Sequence, residues 1–182
     1  LPHLELTRQI ARKFNHLYKK ATFPEPSALL TKTERLLGLD GRKMSKSYNN
    51  YIALSEEPQE IAKKIQSMFT DPTRIKLSDP GHPENCNVHN YYAVFAPSRE
   101  KEINTLCRKA QIGCTDCKKE LAMVLIKFLE PIQEKRREIL KKKSLVFDIL
   151  NEGRLKATTV ARKTLAEVKS LLNLSEATLD IF

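Results

Sequence analysis

No apolar run in this chain approaches the roughly 20 residues that a bilayer-crossing helix needs, and no basic stretch leads into a short apolar core at its start. Neither a membrane span nor a secretory signal is therefore expected, and the chain reads as cytoplasmic. Internal repeats and low-complexity tracts are also missing. Histidine is scarce: His3, His16, His82 and His89 show neither the paired spacing of metal ligands nor that of a nucleophile and its base, and are read as structural. Cysteine is scarcer in effect, because all four fall into a single pattern and no thiol is left over.

What is present fits a globular protein. The chain has 182 residues, 41% hydrophobic and 30% charged, which is ordinary for one or two packed domains. Lys and Arg total 32 against 22 Asp and Glu, a net charge of +10. That balance favours a polyanionic partner without separating nucleic acid from a charged surface.

Helical spacing dominates. Leu6, Ile10, Phe14, Leu17 and Tyr18 recur on one face, with Pro24 and Pro26 expected to end that helix and Ala28 to Thr31 to form a short strand. Ser55 reads as the cap of a helix that buries Ile61, Ile65, Met68 and Phe69. Asp79 to Pro83 is rich in turn residues, so the stretch up to Tyr91 is expected to be a connection. After Ser98, read as a cap, Ile103, Leu106, Cys107 and Ala110 share a helical face. A long helix follows from Asp116, kinked at Pro131. Leu145, Ile149 and Leu150 predict a shorter helix closed by Gly153, and Ala161, Leu165, Val168 and Leu172 a last one. Lys135, Arg136, Arg137, Lys141, Lys142 and Lys143 crowd one end of the long helix. Such a run is either a solvated face complementing the helix dipole or a surface for RNA phosphates.

Two constellations carry chemistry. Gly38 and Gly41 bracket the approach to Lys43-Met44-Ser45-Lys46-Ser47 and favour a turning backbone, which puts the two lysines on a loop. Two compact point charges, with serine donors beside them, suit a triphosphate whose charge moves onto departing pyrophosphate. A loop that meets this developing charge stabilises the transition state more than the ground state. The plainer reading is a solvated Lys/Ser-rich surface loop. The second constellation is Cys86, Cys107, Cys114 and Cys117, spaced C-x20-C-x6-C-x2-C, with Gly113 allowing a bend before the last pair. Buried free thiols, two disulfides and a four-thiolate metal centre are all open, with cytosolic context weighing against disulfides. Spacing does not choose between zinc and iron.

The stretch Gly38 to Ile52 resembles the KMSKS loop of class I aminoacyl-tRNA synthetases, and Asp40-Gly41-Arg42 with Tyr48 looks most like the tryptophanyl-tRNA synthetase family. His3 to Arg8, Asn85-Cys86, Ile112 to Lys118, and Asn151 through Leu174 resemble the same family in the same order. Two departures stand out, Asn49 where glycine is frequent and Leu37 where proline is common. A His-x-Gly-His pattern, the family's other signature, is absent, since Gly81-His82 is followed by Pro83.

The resemblance implies a mainly α chain: residues 1–60 as the end of a Rossmann-type α/β catalytic domain with its KMSKS loop, and 61–182 as a helical anticodon-binding domain. It implies a tryptophan-tRNA ligase acting on ATP with Mg2+, tryptophan and tRNA(Trp), homodimeric when complete, with Lys43 and Lys46 catalytic and Lys43, Met44, Ser45, Lys46 and Ser47 at ATP. His3 would lie near a segment that contacts ATP. A subset of the family has a four-cysteine set ending in the same two spacings and holding a [4Fe-4S] cluster, which points to Cys86, Cys107, Cys114 and Cys117 as ligands, with Zn2+ the alternative. The chain opens on Leu1 directly into a helical pattern, as the later part of a longer enzyme would, and alone is expected to be inactive. The competing expectations are a stand-alone RNA-binding module and a purely structural metal-bound helical domain.

Overall fold

The computed structural model describes residues 1–30, 33 and 35–174. Six helices account for most of them: α1 (Pro2–Tyr18), α2 (Pro58–Gln66), α3 (Asn87–Phe95), α4 (Pro97–Arg108), α5 (Cys114–Lys141) and α6 (Lys143–Leu171). The mainly α fold class holds. Among the described residues there is no strand, only an isolated antiparallel bridge between Leu37 and Lys43. Ala28 to Leu30 are irregular where a strand was expected, with no partner strand among the described residues; Thr31 lies outside the described residues.

The chain separates into two compact units, Leu1–Thr31 with Lys142–Phe182, and Lys32–Lys141. In the first, α1 ends at Tyr18, well before the prolines. Lys19 turns left-handed (φ 50°), and Asn15 Oδ1 accepts from the backbone N–H groups of Thr22 and Phe23, both at 3.0 Å. That side-chain clamp stops the helix more locally than Pro24 or Pro26 could. Lys20 Nζ pairs with Glu167 of α6 at 2.9 Å.

α6 overturns the expectation of two helices, running unbroken through Gly153 for 29 residues. Gly153 has no positive φ to act as a stop. Exposed pairs on either side of it, Glu152 with Lys156 and Asn151 with Arg154, return part of the about 1 kcal/mol cost of a mid-helix glycine.

The second unit contains the main core. α5 packs against α2 and α3, and α3 against α4. Ile61 and Ile65 of α2 are fully buried and share that core with Leu39, Tyr91, Tyr92, Leu121 and Leu125. Each such isoleucine contributes about 1.5–3 kcal/mol. The start of α2 differs from the expected Ser55 cap: Glu57 is at the cap and Pro58 at the first helical position, where its fixed φ suits the first turn. Met68 is buried as expected, whereas Phe69 is 42% exposed. Pro97 likewise opens α4, one residue ahead of Ser98, and Cys114 opens α5, two ahead of Asp116. Pro131 lies inside α5 without ending it.

α3 itself was missed. Its buried Val88, Tyr91 and Tyr92 do stand at helical spacing, but the helix is only nine residues long, directly follows a turn-rich stretch and carries Asn87, His89 and Asn90 near its start, with Asn87 buried too.

Candidate active-site loop and thiol pocket

The loop is built around one side chain. Asn50 is only 4% exposed; its Nδ2 donates to Asp40 Oδ1 at 2.7 Å and to the Lys43 carbonyl at 3.1 Å, while its Oδ1 accepts from the Ser45 N–H at 2.8 Å. Its own carbonyl accepts from Leu39 N at 2.8 Å. Gly38 lies so close that an added Cβ would stand 2.2 Å from Asn50 Nδ2. Gly41 has φ +77°, the left-handed region that favours glycine.

Asp40 also accepts from Arg42, through the backbone N–H at 3.0 Å and through Nε at 2.7 Å. The Asn50 amide first, and then Arg42, hold its carboxyl down to about 2 against the opposing effect of burial. The Arg42 guanidinium in turn lies over the Tyr48 ring, 4.8 Å from its centre.

Past this anchor, Lys46–Tyr48 forms a short 3-10 turn capped by Ser45, whose Oγ accepts from Ser47 N at 3.2 Å. Asn49 closes the turn with φ 50°, a region that asparagine tolerates best among side-chain-bearing residues. Lys43 and Lys46 are exposed, and Met44 and Ser45 half-buried. The backbone is thus tied down while two ammonium groups reach outward. An anchored backbone carrying free cations can present charge to a polyphosphate without first ordering the chain.

The four cysteines also come together. Cys86 sits at the N-terminal cap of α3, Cys107 in the last turn of α4, and Cys114 and Cys117 in the first turn of α5. All four line one small apolar pocket of ≈ 20 Å³, room for about one water molecule, with Thr70, Arg74, Val88 and Ile112. Burial first, and then the other three thiols, push Cys117 up to about 12. Burial raises Cys107 as well, against the nearby Arg74 guanidinium. Arg74 Nη1 stands 3.9 Å from both Cys107 Sγ and Cys114 Sγ. Gly81 presses on the pocket so closely that a Cβ there would lie 2.4 Å from Cys107 Sγ. None of the four is in a disulfide. Among the described residues, no three Cys, His, Asp or Glu side chains are gathered tightly enough to hold a metal ion as they stand.

Several residues that build these sites had escaped sequence reading. Asn50 is one. Asp71, buried at 5% exposure, accepts from Thr73 N and Oγ1 and from His82 N and Nδ1 at 2.6–2.9 Å. Burial pushes its carboxyl up, but those hydrogen bonds outweigh it and hold it well below the usual range. The turn they fix delivers Gly81 to Cys107. The available signal was an acid followed two residues later by threonine, an Asx-type turn. His82 is structural in this sense, and His89 pairs with Glu100 at 2.7 Å. The basic end of α5 forms an open groove of ≈ 560 Å³ lined by Pro131, Ile132, Lys135, Arg136, Ile139 and Leu140. No described helix is long and apolar enough to cross a membrane.

Comparison with known proteins agrees with this geometry. Residues 2–130 match the model of the class I tRNA synthetases (W and Y). The tryptophan-tRNA ligase of Aquifex aeolicus is 48% identical over 176 residues, covering 96% of this chain and 44% of the relative. That of Thermotoga maritima is 48% identical over 174 residues, covering 94% and 53%. The chain therefore spans about half the length of the curated relatives it matches. Among solved structures, Campylobacter jejuni tryptophanyl-tRNA synthetase complexed with ADP and tryptophan superposes with a TM-score of 0.73 at 32% identity, covering 94% of this chain and 54% of that one. On these grounds the chain belongs to the class I tRNA synthetases of the tryptophanyl type, corresponding to their C-terminal part.

Proposed function

We propose that this chain is the part of a cytoplasmic tryptophan-tRNA ligase that supplies the pyrophosphate-gripping loop and the helical anticodon-binding domain. In the complete enzyme, ATP with Mg2+ and tryptophan give tryptophanyl-adenylate and pyrophosphate, and the tryptophanyl group then passes to a terminal hydroxyl of tRNA(Trp). Lys43 and Lys46 contact the phosphates that leave, and Met44, Ser45 and Ser47 shape the loop around ATP. The observation that carries this reading is the pair of exposed lysines on a backbone pinned by Asn50.

The functional division falls at residue 60, with 1–60 belonging to the catalytic domain and 61–182 to the tRNA-binding domain, and the complete enzyme works as a homodimer. The basic end of α5 faces RNA phosphates, a role its net cationic run supports.

Cys86, Cys107, Cys114 and Cys117 hold one [4Fe-4S] cluster. The donor set fits in kind: four thiols from three helices line one pocket, and their mutual repulsion as thiolates is relieved by a cation. Ligation requires the side chains to draw in from their present positions. A bound cluster would cross-link α3, α4 and α5 and stabilise that end of the unit. Zinc on the same thiolates is the alternative occupant.

Pyrophosphate exchange tests the division of labour. The 182-residue chain alone is expected to show no tryptophan-dependent ATP–pyrophosphate exchange, and the complete ligase to show it. Robust exchange by the chain alone would contradict this assignment of its role.

A further inference from the structure

α3 joins the two sites. Asn87 and Tyr91 are four residues apart and so lie on one face of that helix. Asn87 Nδ2 donates to the Gly38 carbonyl at 2.8 Å, and the Tyr91 hydroxyl donates to the adjacent Leu37 carbonyl at 2.9 Å. Both residues are buried. The two carbonyls form the root of the loop, and Gly38 O also accepts from Gly41 N at 2.9 Å, so it takes one bond from within the turn and one from α3. Gly38 is in turn wedged against Asn50, the residue that ties Lys43 and Ser45 in place.

At its other end α3 begins on the thiol pocket. Cys86 is its cap, the residue immediately before Asn87, and its carbonyl accepts from Asn90 N at 3.4 Å. One peptide bond separates a side chain of the pocket from the amide that holds the loop.

Asn87 itself sits poorly as a core residue. Its Oδ1 is buried with no partner among the described residues, a state that costs stability and that an apolar side chain would avoid. What asparagine supplies here is the bond from its Nδ2 to the loop root.

We infer that α3 is a strut between the thiol pocket and the loop of Lys43 and Lys46, with Asn87 and Tyr91 as positioning residues for that loop. This deepens, and rests on, the reading of the loop as the group that meets ATP. The loop's backbone register is set by α3, and whatever fixes Cys86 also fixes the carbonyls on which the loop turns.

Amide hydrogen exchange of the full chain reads the strut directly. The reporters are Ser45 N–H, bonded to Asn50, and Leu39 N–H, bonded to the Asn50 carbonyl; Leu125 N–H in α5 reports on the core. Asn87→Ala and Tyr91→Phe each delete one bond to the loop root and are expected to speed exchange at Ser45 and Leu39 about five- to tenfold, the equivalent of one net hydrogen bond, and Cys86→Ala, which loosens the start of α3, to speed it in the same direction, with Leu125 unmoved. Tyr91→Phe keeps the buried ring and decides the matter if Asn87→Ala or Cys86→Ala unfolds. Normal Ser45 and Leu39 exchange in Tyr91→Phe, with Leu125 still protected, overturns the strut.

Adenylate formation in the complete ligase separates the two layers. A normal rate in Lys43→Ala removes the loop reading beneath the proposal. A slow Lys43→Ala beside Asn87→Ala and Tyr91→Phe that match the parent in both exchange and rate overturns the strut alone.

Discussion

Asn50 Nδ2 donates to Asp40 Oδ1 across ten residues of chain at 2.7 Å, and this one contact turns a run of lysines and serines into a shaped loop. Truncating Asn50→Ala deletes three side-chain hydrogen bonds in a nearly closed site. It leaves the Ser45 N–H and the Lys43 carbonyl without their partner. A loss of about 1–3 kcal/mol is expected, measured as the unfolding free energy of the chain in urea.

The same pair predicts an acid limb. Asp40 goes from an ordinary 3.8 to about 2 on folding, so its contribution is complete above the unfolded value and is lost as pH falls from about 4 towards 2. Asp71, lowered through Thr73 and His82, acts with the same sign. Asp40→Asn is expected to flatten the stability profile in that window, checked by unfolding midpoints at closely spaced pH values.

Two glycines should respond oppositely to alanine. Gly38→Ala drives a Cβ to within 2.2 Å of Asn50 Nδ2 and 2.7 Å of its carbonyl, and should destabilise by about 1–3 kcal/mol through overpacking. Gly153, inside α6 with nothing within 4 Å of its added Cβ, should gain about 0.5–1 kcal/mol. Thermal melts of the two variants side by side check both signs.

Metal content tests the thiol pocket. Protein purified without oxygen is expected to be brown, with broad visible absorbance and about four irons per chain as a [4Fe-4S] cluster requires, and Cys117→Ser is expected to lose colour and melt earlier. Colourless protein with zinc would keep the ligands and change the metal. An unchanged melt in a metal-free Cys117→Ser variant would remove the structural role.

The outcome of reading the sequence follows physical lines. Ile61, Ile65, Leu121 and Leu125 announce themselves by spacing, because a helix facing a core must repeat its apolar side. Spacing also singled out the lysines, which stand exposed on one loop, and the four cysteines, which line one pocket. What stayed hidden is what holds them. Asn50, Asn87 and Asp71 act through hydrogen bonds to backbone groups 2 to 49 residues away in either direction, and periodicity does not register such bonds. Gly153 misled for the complementary reason, since a glycine stops a helix only when its backbone turns left-handed.

The central claim is that Lys43 and Lys46 act on charge that grows during adenylate formation. Single-turnover kinetics of the complete ligase, with tryptophan and ATP both saturating, measures this most directly. Lys43→Ala and Lys46→Ala are each expected to slow the step about 100- to 1000-fold, equivalent to about 3–4 kcal/mol, with tryptophan affinity little changed and Met44 and the serines mattering less. A near-normal saturated rate with only a weakened ATP constant would mean that the lysines bind ground state and transition state alike, and would contradict the account.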